Sequence, residues 1–454
     1  MIKGMGAYEV RPPTRLKGIG TLATVSFFVL IGGIAAPGVA AAARPAGASF
    51  VVPPASPPPS RSSFPVPMGD SSLTASELSS ATLAQVTSDA KWIVGNQFAN
   101  GAIAQGTTPN WSRSVYIEPY TANYAAIGLA RAASVTGDRT FARASWRWLK
   151  WYAHNEQPGT GFVSDATMPH PFVRGDSSTP LGTMDSTDGY AGTFLLAAYD
   201  TMVADPSTAA LKDLAAGIGG AVHAIQETQQ PNGLTWATPT YQMAYLMDDA
   251  EAHTGLLAAA SLEAGLDNPT AETSDEADAA TMESGIQSLW DFTTGSFNWA
   301  ETGTGVQATD WSYLYPDAAA QAWAVGLGAA TPAQASELTS EVVNQDVLWD
   351  DPTAMTSFRG SSPSAVGYWP GIGWAFDMVG DTAMAQVSAS RIQAAASAVH
   401  DAWPYTTEDA GQLIVLLTGG VNLPARCPPL GPVERQQQSG CNSTLRAPRT
   451  HMAR

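Results

Sequence analysis

An all-α fold, specifically a closed (α/α)6 toroid of six helical hairpins, is predicted from three observations. Across about 71–420, apolar residues recur mostly at three- and four-residue spacing in Ala- and Leu-rich segments of helical length. The connections between those segments alternate between short and long. Every second segment is small or apolar nearly all round, as in a helix buried on every side.

Taken in order, helices are expected at 72–98, 119–135, 139–155, 186–204, 207–228, 239–264, 269–290, 313–329, 332–346, 364–379, 382–399 and 405–418. Gly137-Asp138, Asp205-Pro206, Asn268-Pro269 and Gly380-Asp381 supply the breakers at the joints. Connections after the even helices are short, as at Thr136-Gly137-Asp138, whereas those before them are mostly long and rich in aromatics and carboxylates. Hairpins packed side by side in a ring produce this rhythm, with plain turns at one end and elaborated loops at the other. An irregular helical bundle or an α-solenoid is the alternative; a solenoid should show a fixed sequence period, and none is present.

The even helices read as the inner ring. Ala125-Ala126-Ile127-Gly128-Leu129-Ala130, Ala191-Gly192-Thr193-Phe194-Leu195-Leu196, Gly255-Leu256-Leu257-Ala258 and Leu413-Ile414-Val415-Leu416-Leu417 carry almost no polar face. Odd helices such as 139–155 and 207–228 keep their polar residues on one side, as outer helices should. Trp146, Trp148 and Trp151 on one of these read as packing.

Both ends differ from the middle. Residues 1–43 run from a basic start (Lys3, Arg11, Arg15, Lys17) through an apolar stretch from Ile19 to small residues at Val39-Ala40-Ala41-Ala42-Ala43. That order is a secretory signal pattern, with an uncleaved membrane anchor formed by 19–43 as the competing reading. Either way the bulk of the chain is expected outside the cytoplasm, secreted or membrane-anchored. Residues 44–70, with Val52-Pro53-Pro54-Ala55-Ser56-Pro57-Pro58-Pro59, read as an extended linker. Residues 421–454 read as an irregular tail carrying the only two cysteines, Cys427 and Cys441, paired as a disulfide or left as free thiols.

Lys and Arg number 22 against 40 Asp and Glu, a formal charge of −18. Nucleic acid is excluded as a partner, because phosphate binding needs clustered cations. A neutral or cationic substrate fits this balance better than a polyanion. No nucleophile elbow, phosphate loop or zinc-protease helix is present, and histidines are sparse, so neither a cofactor nor a metal is expected.

Distant segments share one composition where the inner helices begin. Trp111, Tyr116, Glu118, Tyr120, Asn123 and Tyr124 precede or open the second helix. Asp185, Asp188 and Tyr190 open the fourth, and Trp236, Tyr245, Asp248, Asp249 and Glu251 lead into the sixth. Asp310 and Trp311 precede the eighth, Arg359 and Trp369 the tenth, and Trp403, Glu408 and Asp409 the twelfth. In a toroid these ends converge on one funnel. Aromatic faces stack on the C–H faces of sugar rings, carboxylates grip hydroxyls, and glycoside hydrolysis needs two carboxyl groups.

The runs Tyr116-Ile117-Glu118-Pro119-Tyr120-Thr121-Ala122-Asn123-Tyr124, Asp185-Ser186-Thr187-Asp188-Gly189-Tyr190 and Tyr245-Leu246-Met247-Asp248-Asp249-Ala250-Glu251 resemble bacterial proteins grouped with the six-hairpin glycosidases, over roughly 90–420. The resemblance implies an (α/α)6 fold and, commonly, carboxylate catalysis on glycans; the superfamily also holds polysaccharide lyases and members without activity.

Asp185 and Asp188, three residues apart at a helix start, and Asp248 and Glu251, at the same spacing inside a buried helix, are the candidate catalytic carboxylates. The alternatives are helix caps for the first pair and a salt bridge or solvated turn for the second. Asp249 points about 100° away from Asp248 and ranks lower. Substrate contacts are expected from Glu118, Tyr120, Asn123, Tyr190, Trp236, Tyr245, Asp310, Trp311, Trp369 and Trp403. The leading expectation is a glycoside hydrolase acting on a polysaccharide or oligosaccharide. The alternatives are a non-catalytic glycan-binding or scaffold protein, and a lyase that would need Arg113, Arg174 and Arg359 as its cationic subsite.

Overall fold

Pro119, which has no amide hydrogen to leave unpaired, stands at the first position of a helix, and Gly137 ends that helix in the left-handed conformation at φ 71°. Asp138 then caps the next helix through its carboxylate and the Thr140 amide, so two residues turn the chain through a hairpin. This local grammar repeats along the computed structural model, which describes residues 78–106, 114–169, 178–345, 368–400 and 405–424, all within one compact unit.

Twelve helices follow in order among the described residues: α1 (Ser80–Gly95), α2 (Pro119–Thr136), α3 (Arg139–Asn155), α4 (Thr187–Ala204), α5 (Thr208–Thr228), α6 (Leu246–Gly265), α7 (Pro269–Ser288), α8 (Asp317–Gly326), α9 (Pro332–Gln345), α10 (Gly371–Met378), α11 (Thr382–Ala398) and α12 (Thr407–Leu417). The even helices pack in sequence, α2 on α4, α4 on α6, α6 on α8, α8 on α10 and α10 on α12, and α12 returns to α2. The ring is closed. Odd helices lie against one or two inner helices each and cover the outside, α3 on α2 and α4, α5 on α4 and α6, α11 on α10 and α12. Every residue of α8 is buried, and α2, α4 and α6 are buried over nearly their whole length. The (α/α)6 toroid is the fold of this chain.

Short strands, which the helical pattern does not announce, lie in the long connections. β1 (Ser114–Ile117), β2 (Ala166–Pro169) and β3 (Thr179–Pro180) form one antiparallel sheet ahead of α2 and α4. β4 (Met243–Tyr245) precedes α6; the hairpin of β5 (Trp290–Asp291) with β6 (Ser296–Phe297), then β7 (Ala300–Thr302) and β8 (Gly305–Gln307), precede α8. β7 pairs with both β4 and β8.

Several expected helix starts move inward for identifiable reasons. The segment expected to be helical from 239 becomes helical only at Leu246, because Met243–Tyr245 pair with Ala300–Thr302 instead. The eighth helix starts at Asp317 rather than 313, after Pro316, whose missing amide fits only a helix start. The tenth is short, Gly371–Met378, and also follows a proline, Pro370. Ser79 and Thr406 cap the first and twelfth with their hydroxyls. At the far end the packed domain runs past 420: Val421 is buried, and Asn422 bonds both Arg131 and Asp200. Residues 1–77 and 425–454 lie outside the described residues, and with them the signal or anchor, the linker and both cysteines. No described helix is long and apolar enough to cross a membrane.

Close inner packing depends on glycines facing glycines. A Cβ on Gly192 of α4 would lie 2.6 Å from the Glu251 carbonyl and 2.7 Å from the Ala252 Cα of α6; Gly255 faces Gly192 in the same crossing. Gly128 of α2 and Gly411 of α12 repeat the arrangement where the ring closes, with 2.5 Å from a Gly128 Cβ to the Gly411 Cα. Both partners are backbone, so neither can yield by a rotamer change. Gly192→Val is expected to cost about 3 kcal/mol or more and lower Tm by roughly 6–12 °C. Gly219→Ala on outer helix α5, where a Cβ meets nothing within 4 Å, should leave stability unchanged or raise it by up to about 1 kcal/mol. Thermal unfolding of the two variants checks the pair.

Candidate active site

Inner helices present their N-terminal ends to the mouth with the long loops, and those ends collect carboxylates. Glu118 is the N-cap of α2; Asp188 lies in the first turn of α4, Asp248 and Asp249 in that of α6, Asp317 in that of α8, and Glu408 and Asp409 in that of α12. The positive partial charge of a helix N-terminus favours acids there.

Asp188 is completely buried and saturated with donors. Its Oδ1 accepts from the Ser186 hydroxyl at 2.8 Å and the Gly189 amide at 2.9 Å, and its Oδ2 accepts from the Thr235 hydroxyl at 2.7 Å. Burial raises its pKa while these bonds pull it back. The Thr235 hydroxyl also lies 2.9 Å from Asp249 Oδ1, which accepts the Thr235 amide at 2.7 Å. One hydroxyl hydrogen cannot serve both carboxylates, so one of the two contacts uses a proton carried by a carboxyl group. Burial holds Asp249 well above the usual carboxylate range, with the nearby Asp188 charge adding to it.

Glu251 is clamped on one side only. Oε1 accepts from the hydroxyls of Tyr120 and Tyr124, each at 2.6 Å, and from the Trp323 indole at 3.0 Å, whereas Oε2 has no hydrogen-bond partner among the described residues. Burial outweighs the three donors and pushes its pKa up to about 7. Asp248, one helical turn earlier, is 1% exposed, and its Oδ2 is likewise unpartnered. Burial first, then the charges of Asp188, Glu251 and Asp185, raise the pKa of Asp248 well above its ordinary range.

Asp185, just before the Ser186 cap, is the partly exposed member of the group. Its amide donates to the Tyr190 hydroxyl at 3.2 Å, and that hydroxyl donates to Asp165 at 2.8 Å. Asp165 is lifted to about 6 by burial, against bonds from Tyr116 and Tyr190. Glu118, next to Tyr116 on β1, accepts from Gln105 at 2.8 Å and is raised by burial and by Asp165. Asp185 raises the pKa of Glu118, Tyr116, Tyr190, Tyr245, Tyr315 and Asp248 electrostatically, so it sits among all of them. Glu408 completes the arc from α12: burial pushes it to about 8, Oε1 accepts from Gln412, and Oε2 has no partner among the described residues.

Aromatic pairs stand in the same loops. Tyr245 stacks on Trp299 with centroids 5.8 Å apart, and Tyr315 on Trp369 at 4.8 Å. Tyr241 bonds the Tyr245 hydroxyl at 3.1 Å.

Of the four candidate catalytic residues, Asp188 and Asp248 lie in the first turns of the adjacent helices α4 and α6, Asp185 just before the cap of α4 and Glu251 one turn further into α6, with different surroundings. Two expected substrate contacts are engaged in bonds within the fold. Asn123 is wholly buried and spends its amide on Tyr190 and Thr193 while its carbonyl takes the Trp148 indole, so it ties α2 to α3 and α4. Asp310 is exposed and closes a turn through the Ser312 amide and hydroxyl, and its own amide donates to Asp317. Tyr120 and Tyr190 act through carboxylates, holding Glu251 and Asp165. Trp236 and Trp311 are half-buried, and Tyr245 and Trp369 are buried in the stacks. Trp403, Trp111, Arg113, Arg174 and Arg359 lie outside the described residues. Asp165, Thr235 and Trp323 were not expected from sequence. A Ser-Asp pair in a loop, a threonine after an apolar residue and a tryptophan inside an alanine-rich helix carry no local signal.

No family model and no curated protein matches this sequence. Solved structures do match. A structure titled as a wild-type glycosidase aligns at 16% identity with a TM-score of 0.53, over 75% of this chain and 98% of its own. A GH63 mannosylglycerate hydrolase from Thermus thermophilus, solved with glucose, aligns at 13% identity with a TM-score of 0.50, over 73% and 99%. A glycosidase variant in complex with glucose aligns at 16% and 0.52. At these identities the likeness establishes a shared six-hairpin glycosidase fold.

Asp165, Glu251 and Glu408 titrate near 6, 7 and 8 in the folded protein, above their ordinary values. As pH rises past about 4–5 the unfolded chain loses these protons first, so the folded state binds more protons and stability falls with rising pH. Tm is expected to drop steadily between pH 5 and pH 8. Glu251→Gln, which keeps an oxygen for Tyr120, Tyr124 and Trp323, should flatten the drop between pH 5 and pH 7. A Tm that rises over this interval contradicts the assignment.

Proposed function

We propose that this protein is a glycoside hydrolase acting outside the cytoplasm on a polysaccharide or oligosaccharide. The supporting observation is the arc of carboxylates at the starts of adjacent inner helices, flanked by stacked tyrosines and tryptophans, at the looped end of a glycosidase toroid. The solved glycosidases of this fold include two in complex with glucose. The basic, apolar and small-residue order of 1–43 supports export.

Among the candidates, Asp248 and Asp185 suit the chemistry best. Asp188 has its oxygens committed to Ser186, Gly189 and Thr235, and Glu251 has one oxygen committed to three donors, so both position their neighbours. Burial and the neighbouring acids raise the pKa of Asp248, which makes it the group to give a proton to the glycosidic oxygen as the bond to the anomeric carbon breaks. Asp185 takes a proton from water, whose oxygen forms the new bond to that carbon. The cycle leaves Asp248 ionised and Asp185 protonated, and proton exchange with solvent restores both.

Two variants test this, with new reducing ends measured on a polysaccharide panel. Asp248→Asn and Asp185→Asn should each lower kcat by roughly 10²–10⁴-fold, with thermal unfolding nearly unchanged. Full activity in both removes the catalytic pair. Glycan binding without product from the unaltered protein would make it a binding protein instead.

A further inference from the structure

A threonine outside the inner helices stands between two of their acids. Thr235 lies in the connection from α5 to α6, and the backbone around it is held on both sides. It forms an antiparallel bridge with Gln229, the Trp236 amide donates to the Thr228 carbonyl at 3.0 Å, and the Thr187 amide at the start of α4 donates to the Ala237 carbonyl at 2.6 Å. The side chain is wholly buried, with its hydroxyl 2.7 Å from Asp188 Oδ2 and 2.9 Å from Asp249 Oδ1. A hydroxyl has one hydrogen to give and lone pairs to receive with. Held there, it gives to one acid and receives from the other.

The remaining bonds of the two acids decide the direction. Asp188 also accepts from the Ser186 hydroxyl and the Gly189 amide. Asp249 accepts from the Thr235 amide, and its Oδ2 has no partner among the described residues. Donors favour the charged form of a carboxylate, so the negative charge settles on Asp188 and the proton on Asp249. The Asp249 O–H then meets the Thr235 oxygen, and the Thr235 hydrogen meets Asp188. Burial holds Asp249 well above its ordinary range, whereas the bonds from Thr235, Ser186 and Gly189 oppose burial at Asp188.

The charge on Asp188 has a neighbour to act on. A Cβ on Gly189, whose amide bonds Asp188, would lie 3.0 Å from Glu251 Oε2 and 3.5 Å from Asp248 Oδ1, so both carboxyls of α6 face this turn of α4. After burial, Asp188 contributes most to raising Asp248. Asp185 before α4, Glu251 on α6, Tyr245 on β4 and Tyr315 before α8 also stand around Asp248, and Glu301 on β7 acts on Asp249. Tyr120 and Tyr124 from α2 hold Glu251, and α7 meets the Thr235 segment at Gly285.

We propose that Thr235 is a positioning residue of the hydrolytic site: by giving its hydrogen to Asp188 and receiving that of Asp249, it keeps a negative charge beside Asp248, which then holds its proton until the glycosidic oxygen takes it. The role rests on Asp248 being the proton donor; the order of charge along Asp249, Thr235 and Asp188 does not.

Two measurements on the full chain test this. Difference infrared spectra at pH 6 need no substrate: Asp249→Asn should delete a protonated-carboxyl band and Asp188→Asn an ionised-carboxylate band. The reverse assignment, or two bands of one kind, overturns the proposal. The second measurement is kcat/KM against pH on a cleaved glycan, where a group that must be protonated sets the basic limb. Thr235→Val, similar in shape but without the hydroxyl, should move that limb to lower pH by about one unit, because Asp188 then gives up its charge. Thr235→Ser should keep the limb in place. A threonine that only packs would lower Tm, or lower kcat/KM equally at every pH, and leave the limb fixed; that result, or the same shift in Thr235→Ser, overturns the proposal. Should Thr235→Val fail to fold, Asp188→Asn must move the limb the same way, and a fixed limb is again fatal. Product with the infrared assignment reversed sinks this inference and leaves the hydrolase standing. The expected bands without product from any glycan sink the hydrolase, and with it the role given to Thr235.

Discussion

Two backbones can approach to glycine-to-glycine distance only where neither carries a Cβ, and the inner ring uses that freedom at two crossings. Gly192 against Gly255 brings α4 onto α6, and Gly128 against Gly411 brings α12 back onto α2. The first crossing sets how far the start of α4 stands from the start of α6, and with it the separation of Asp185 and Asp188 from Asp248 and Glu251. The second closes a circle between segments as distant as Arg131 and Thr418, which are 287 positions apart yet bonded. Position in the mouth is therefore decided by packing in the middle of the helices.

Burial then determines the chemical state of what the ring gathers. Desolvation disfavours an ionised carboxylate more than two or three hydrogen bonds favour it, as Glu251 shows with three donors on one oxygen and a pKa still near 7. The group divides its labour through its bonds. Asp188, Thr235 and Asp249 share protons inside the wall between α4 and α6. Tyr190 ties Asp165 to the backbone of Asp185. The atoms left over, Asp248 Oδ2 and Glu251 Oε2, belong to no such arrangement.

Local chemistry made much of this legible in the sequence. Gly137-Asp138 and Asn268-Pro269 are a helix stop and a helix start that any reader can place, and the apolar periodicity of 125–130 or 191–198 identifies inner helices directly. The acids that begin inner helices were visible for the same reason. What stayed hidden depends on pairing across distance. Met243–Tyr245 form a strand only because Ala300–Thr302 lie alongside, some 57 residues away. Asn123 looked like a mouth residue because it follows Tyr120 at a helix start, yet helical rotation turns it toward Trp148 and the α3 wall. Thr235 and Trp323 matter through the carboxylates they touch, and those contacts exist only once the ring has closed.

The opposite end of the ring holds buried acids in another way. There Arg131 donates to the Thr418 carbonyl and to Asn422, Asn422 bonds Asp200, and the guanidinium lowers the pKa of Asp200 and Asp377 against their burial. One arginine and one amide knit α2, α4, α10 and the residues after α12 together, an economical solution to paired acids in a tight space. At the mouth the same helices carry more acids, and among the described residues no cation answers them. Among the described residues, acids keep an unpartnered oxygen at both ends, Asp200 and Asp377 at one and Asp248 and Glu251 at the other, so burial rather than position in the ring raises their pKa values.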